Sequence, residues 1–204
     1  MTLIKNIIFD LGGVLIDWNP EYVYLKVFNN DRDKMKWFFE NICTFDWNEN
    51  QDAGYPLKKA TEERIKLFPQ YENLIRIYYG RWEEMLGGPI NKSVDILEKV
   101  YKKNSCNIYA LTNWSAETFP TALKKFHFLK WFDGIVVSGK EKTRKPFEKI
   151  YRITINRFKI NPNETIFIDD NLRNVKAARK LNIKGIHFKN PEKLELELKD
   201  LKII

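Results

Sequence analysis

Cysteine and histidine are both scarce in this chain: Cys43 and Cys106, His127 and His187. Two cysteines without metal-ligand spacing exclude a zinc knuckle and a disulfide framework, so a reducing, cytoplasmic location is expected. Both cysteines read as core fillers, and the histidines, without partners in sequence, read as structural. No apolar run approaches the length needed to cross a bilayer. The opening Met1-Thr2-Leu3-Ile4-Lys5-Asn6 passes almost at once into a strand, leaving no room for a signal peptide, so no membrane partner is expected. Internal repeats and low-complexity segments are also missing, which argues against solenoid or disordered architectures. Acidic residues are the minority, 27 against 35 basic, for a net charge of +8. The excess is lysine scattered along helices, as in Lys58-Lys59 and Lys124-Lys125, which describes a solvated surface rather than a nucleic-acid patch. No nucleic-acid partner is expected, although a positive field would draw in anionic substrates.

What is present is a chain of 204 residues, 44% hydrophobic and 30% charged, long enough for one sizeable core and a second small one. Three apolar β runs end on polar groups. Ile7-Ile8-Phe9 ends on Asp10 and turns on Gly12-Gly13; Ile108-Tyr109-Ala110-Leu111 ends on Thr112-Asn113; Thr165-Ile166-Phe167-Ile168 ends on Asp169-Asp170-Asn171. Parallel strands that end this way bring their polar termini together at the carboxyl edge of a sheet, where open α/β folds bind ligands.

Between residues 20 and 86 the periodicity is helical, with starts at Pro20, Asp31, Pro56 and Pro69 and no good strand. Gly87-Gly88-Pro89 punctuates the end of this stretch, and a helix over residues 91–103 feeds a strand over 107–111. Strand and helix then alternate: helix 116–126, strand 134–137, helix 146–158, strand 165–168, helix 172–181, strand 185–188, and a last amphipathic helix over 191–202. The expected fold is α/β, a doubly wound parallel Rossmann-like sheet of about five strands. Residues 1–16 and 89–204 would form the core and residues 17–88 a helical insert above the sheet's carboxyl edge.

Each candidate residue has a plainer role available. Asp10 before two glycines would also make a turn by bonding its own backbone. One of Asp169, Asp170 and Asn171 is needed to cap the next helix, but capping needs only one. Several carboxylates gathered at one edge are costly to bury without a cation, and Mg²⁺ prefers such oxygen ligands. Lys145, in Thr143-Arg144-Lys145-Pro146, is one of 35 basic residues and would ordinarily sit in water. Thr112 is placed equally well to cap a helix.

Taken in order, Asp10 in the strand-one turn, Thr112 after a later strand, Lys145 before a proline and the Asp169-Asp170 pair resemble the four motifs of the haloacid dehalogenase-like hydrolase superfamily. The resemblance runs from about residue 7 to 188, and the helical insert is similar to a C1-type cap. Leu111-Thr112-Asn113-Trp114-Ser115 and Ile168-Asp169-Asp170-Asn171 look like a bacterial subgroup related to sugar-phosphate phosphatases, as do Trp47-Asn48 and Gln51-Asp52-Ala53-Gly54. The resemblance implies Asp10 as a nucleophile that forms an aspartyl-phosphate. It implies Mg²⁺ held by Asp10, the Gly12 carbonyl and Asp170, with Asp169 in the same shell. Thr112 and Asn113 would bond phosphoryl oxygens beside the Gly13 turn, and Lys145 would neutralise charge. Trp47 and Gln51 are the expected substrate contacts from the cap, with Trp18 and Tyr55 as further candidates and Trp82 as cap core.

Three carboxylates and one lysine leave two negative charges uncompensated, which a divalent cation cancels. The expected activity is hydrolysis of a small phosphorylated metabolite, plausibly a sugar phosphate. Two other readings stand beside it: a 2-haloacid dehalogenase, whose halide departs without protonation, and a weakly catalytic phosphate-binding module. They gain from one departure. Many relatives carry an acid two residues after the nucleophile, and this chain has Gly12; Asp17 is a conceivable substitute. Asn174 stands where a carboxylate is often found. The sequence does not indicate an oligomeric state.

Overall fold

The computed structural model describes residues 3–204. Its centre is a five-stranded sheet built from β1 (Asn6–Phe9), β4 (Asn107–Thr112), β5 (Gly134–Val137), β6 (Thr165–Asp169) and β7 (Lys184–His187), in the order β5-β4-β1-β6-β7 with every pair parallel. The strands are short apolar runs because both sheet faces are covered. Side-chain alternation splits the core in two. Ile7, Phe9, Ile108, Ala110, Ile166 and Ile168 join a cluster that continues into the insert. Ile8, Tyr109, Leu111 and Phe167 point the other way, onto Ile150 and Tyr151 of α9 (Glu148–Phe158).

β1 lies in the middle, and the chain leaves it to build β4 and β5 on one side and returns to build β6 and β7 on the other. The strand order therefore reverses at β1, and a crevice opens beyond its carboxyl end. Register then sets the site: Phe9 pairs with Ala110 and Ile168, so Asp10 emerges beside Leu111 and Asp169. The Asp10 backbone N–H still donates to the Ile168 carbonyl at 2.8 Å.

The insert holds α1 (Glu21–Val27), α2 (Arg32–Asn41), α3 (Phe45–Asp52), α4 (Leu57–Leu67) and α5 (Glu72–Gly80). Asp31 caps α2 by accepting from the Lys34 N–H, and Thr44 caps α3 by accepting from the Trp47 N–H. Besides α3, for which no start was expected, two features depart from the sequence expectation. The helix expected from residue 69 onward breaks into a 3₁₀ turn, α5 and a second turn over Trp82–Met85. The insert is also tied at its base by an antiparallel ribbon of β2 (Ile16–Trp18) and β3 (Leu86–Pro89), where a simple glycine-proline break was expected.

Beyond the insert come α6 (Asn91–Lys103), α7 (Phe119–Lys125), α8 (Ser138–Glu141), α10 (Leu172–Arg179) and α11 (Pro191–Asp200). Among the described residues no helix is long and apolar enough to cross a membrane.

Candidate active site

Lys145 organises the carboxyl edge. Its side chain is fully buried, and its ammonium uses all three donors: to Asp10 Oδ2 at 2.8 Å, Asp169 Oδ2 at 2.7 Å and the Leu111 carbonyl at 2.9 Å. Burial opposes its charge, but Asp10 and Asp169 together outweigh that and raise its pKa. The lysine is held in place through its own backbone. Asn113 Oδ1 accepts from the Lys145 N–H at 2.8 Å while Asn113 Nδ2 donates to the Lys145 carbonyl at 3.0 Å. Asn113 does line the cavity, but its amide is engaged at both ends, so its position suits holding Lys145 rather than reaching for a ligand as expected.

Carboxylate oxygens of Asp10, Asp169 and Asp170 all lie within 4.8 Å of one another. Their surroundings differ. Asp169 is fully buried and accepts from Lys145, from the Asn171 N–H at 2.8 Å, and from Asn174 Nδ2 at 3.1 Å on each oxygen. Its lone pairs are thus directed at protein donors. Expected in the metal shell, it stands within ligand distance of the other two and also holds Lys145, with Asn174 as its support. Asn171, not an aspartate, caps α10 by accepting from the Arg173 N–H.

Asp10 accepts from the Leu11 N–H at 2.7 Å, and only 7% of its surface is exposed. Burial pushes its carboxyl well above the ordinary value; Lys145 pulls it down, while Asp169 and Asp170 push it up again. Asp170 is the exposed member, also raised, by burial first and Asp169 second. The crowding is real electrostatic stress, since a single ammonium serves three acidic groups.

Gly13 makes the close approach possible. Its φ is +73°, and a Cβ there would lie 2.3 Å from Asp170 Oδ2. Gly13→Ala is expected to cost roughly 1–3 kcal/mol, lowering Tm by about 2–12 °C at this chain length; a thermal melt against wild type checks it.

A cavity of about 340 Å³ opens over Asp10, Gly12, Gly13 and Asp170. One wall is α3, which contributes Phe45, Asn48, Glu49 and Asp52, a spacing that puts all four on one helical face. Trp18, Tyr79, Trp82 and Trp114 complete the lining. The cap contacts expected from sequence are corrected here. Trp47 and Gln51 lie on the opposite face of α3, where they line a separate groove with Tyr55 and Arg64. Trp47 packs on Tyr78 and Tyr79. Trp82 is buried in the core as expected and also lines the cavity, as does Trp18. Asp17 does not line it: its carboxylate accepts from the Tyr22 hydroxyl at 2.5 Å on the ribbon. His187 bonds the Asp170 carbonyl through Nε2 at 2.8 Å, a structural role.

α3 is also docked firmly onto the core. Glu49 is buried and pairs with Arg144 at 2.6 Å and with Arg173 of α10. The Ser138 hydroxyl donates to the Asp52 carbonyl at 2.5 Å, and Lys142 Nζ to the Gly54 carbonyl at 2.9 Å. The α3 wall of the cavity is therefore fixed against the core in this conformation.

The donor set fits a divalent cation and a phosphoryl group. Hard oxygen ligands converge with negative charge in excess, as Mg²⁺ requires. At the end of β4, the Thr112 hydroxyl is buried without a hydrogen-bond partner, as is Asn174 Oδ1. Buried polar atoms left open at one edge are the kind a bound group satisfies.

The sequence pattern of haloacid dehalogenase-like hydrolases matches residues 7–188, nearly the whole chain. The chain belongs to this family. Proteins similar to it include the sesquiterpene phosphatase astK of Aspergillus oryzae, 29% identical over 206 residues, covering 98% of this chain and 97% of that protein. The phosphorylated carbohydrates phosphatase of Thermotoga maritima is 20% identical over 186 residues, covering 90% and 84%. Among solved structures, the Bacteroides thetaiotaomicron family enzyme BT-2542, in complex with magnesium and inorganic phosphate, superposes with a TM-score of 0.65. It is 22% identical, with 91% of this chain and 94% of that one covered, a likeness of fold.

Proposed function

We propose that this hydrolase is a Mg²⁺-dependent phosphatase of small phosphomonoesters, with Asp10 as nucleophile. The observation that carries the reading is the convergence of Asp10, Asp169 and Asp170 around the buried Lys145 ammonium at the floor of the cavity. Asp10 and Asp170, with the Gly12 carbonyl, are the groups that would hold the cation, which when bound supplies charge neutralisation for an approaching dianion. Asp10 attacks phosphorus, the P–O bond to the organic group breaks, and water later releases phosphate from the aspartyl-phosphate. Lys145 keeps the Asp10 carboxylate oriented and compensates charge as the phosphoryl group arrives. Thr112, whose buried hydroxyl has no hydrogen-bond partner, would donate to a phosphoryl oxygen. The helical insert acts as a C1-type cap that excludes water.

The organic group of the substrate would lie against Trp18, Phe45, Trp82 and Trp114. These surfaces suit either a sugar ring stacked on indole or a compact hydrocarbon. The relatives named for sesquiterpene and carbohydrate phosphates support both as classes to screen. Release of inorganic phosphate from a panel of sugar phosphates and terpenyl monophosphates should be seen with Mg²⁺, vanish in chelator and return on adding Mg²⁺. A panel without Mg²⁺-dependent release would overturn the reading.

A further inference from the structure

Gly12 has no proton to give, and a Cβ built on it would meet nothing within 4 Å, so the space beside it is open cavity. Departure of an alkoxide nevertheless needs a proton. Among the described residues, the carboxylates lining the cavity are Asp10, Asp170, Glu49 and Asp52. The first two are the nucleophile and a cation ligand in the reading above, on which this inference rests. Glu49 accepts from Arg173 on Oε1 and pairs with Arg144 through Oε2, leaving neither oxygen free to carry a proton toward the cavity. Asp52 differs: it makes no salt bridge among the described residues and is partly open to the cavity.

We propose that Asp52, delivered by α3, is the general acid and then the general base of the reaction. As Asp10 bonds to phosphorus and the ester P–O bond breaks, its electron pair stays on the departing oxygen, which takes the Asp52 proton and leaves as a neutral alcohol. The Asp52 carboxylate then takes a proton from the water that attacks the aspartyl-phosphate. That step releases hydrogen phosphate, restores the Asp10 carboxylate and returns Asp52 to its protonated form.

The local structure supports both duties. The Tyr79 hydroxyl donates to Asn48 Oδ1 at 2.9 Å, and Asn48 Nδ2 donates to Asp52 Oδ2 at 3.2 Å. This fixes the carboxyl on the cavity wall, where the Ser115 backbone N–H also reaches it. Burial, with the Glu49 charge adding to it, pushes the Asp52 carboxyl up to about 7; Arg144, the Ser115 backbone N–H and Lys145 offset only part of the rise. Tyr78 and Tyr79 of α5 also face it, and from α8 and the residue after it Ser138 and Lys142 bond backbone carbonyls of Asp52 and Gly54. A group with a pKa near working pH exchanges protons in both directions.

The leaving group provides the test. In Asp52→Asn with Mg²⁺, kcat/KM for alkyl phosphates should fall by about 10²–10⁴. For 4-nitrophenyl phosphate, whose leaving group needs no proton, the fall should be less than about tenfold. The variant should also accumulate acid-stable phosphoenzyme, because the second step has lost its base. Equal losses on both esters, or none, would overturn the proposal, as would a wild type that hydrolyses the nitrophenyl ester but no alkyl ester. A wild type inert toward every phosphomonoester overturns the phosphatase reading itself. Should the variant not fold, the wild type still decides. Its kcat/KM for the alkyl ester should decline as pH rises through about 7, as the acid is lost, while that for the nitrophenyl ester does not; parallel profiles would overturn the proposal.

Discussion

Asp10→Asn is expected to lower phosphatase turnover by at least about 10⁴-fold and, without metal, to relieve the folded protein of an electrostatic cost. The activity loss follows from chemistry: an amide does not attack phosphorus, so no aspartyl-phosphate forms, and the Mg²⁺ site loses a ligand. The stability effect follows from crowding. Asp10 is almost fully buried, and its carboxyl is raised by burial and by Asp169 and Asp170 more than Lys145 lowers it. A carboxyl raised in the folded state holds its proton where the unfolded chain, near its reference value of about 3.9, has released it. Stability therefore falls as pH rises between those two values. In chelator, Tm of the wild type should drop over that interval and Tm of Asp10→Asn should drop less. Mg²⁺ should reverse the ranking: at 100 times its dissociation constant a ligand stabilises by about 2.7 kcal/mol, a gain the variant should largely miss. Equal pH slopes in chelator, together with equal Mg²⁺ shifts, would contradict this account of the site.

Much of this arrangement could be read from sequence because it rests on local rules. Apolar runs ending in Asp10, Thr112 and Asp169 become parallel strands whose ends share one edge, since sheet register carries a strand-end residue to a definite place. Asp31 caps α2 as its chemistry dictates. What the sequence hid is non-local. α3 escaped because apolar periodicity marks a helix, and this helix buries Asn48 and Glu49 on a polar face that is the cavity wall and the docking surface for two arginines, with Gln51 buried on the other face. Without the helix, the face of Asp52 could not be separated from the face of Trp47 and Gln51. The β2–β3 ribbon escaped because Leu86-Gly87-Gly88-Pro89 has the composition of a turn, and its pairing partner lies beyond the whole insert. Lys145 read as one basic residue among many, and its burial depends on acids supplied by β1 and β6.

Lys145→Met is the harsher test of that dependence. The fully buried ammonium is the hub of two carboxylates and a main-chain carbonyl, so removing it leaves acceptors turned toward an empty place. Breaking a buried ion pair from one side costs about 3–5 kcal/mol, on the order of 10 °C in Tm for a chain of this length, and turnover should fall by a further 10²–10³ or so through lost charge compensation. Because the lysine pKa is raised in the fold, its contribution is complete below its unfolded value of about 10.4 and fades only as pH passes the folded one. The deficit should thus persist across the neutral range and narrow on acidification, where Asp10 takes up a proton in place of its lost partner. Lys145→Arg should rescue little, since a planar guanidinium is larger than the enclosed space that three short contacts define. In Lys145→Met with Asp10→Asn, the change in stability should be more favourable than the two single changes added, because the amide carries no charge to be stranded. Additive losses in metal-free melts would mean that Lys145 does not act on Asp10, and the proposed charge arrangement of the floor would have to be abandoned.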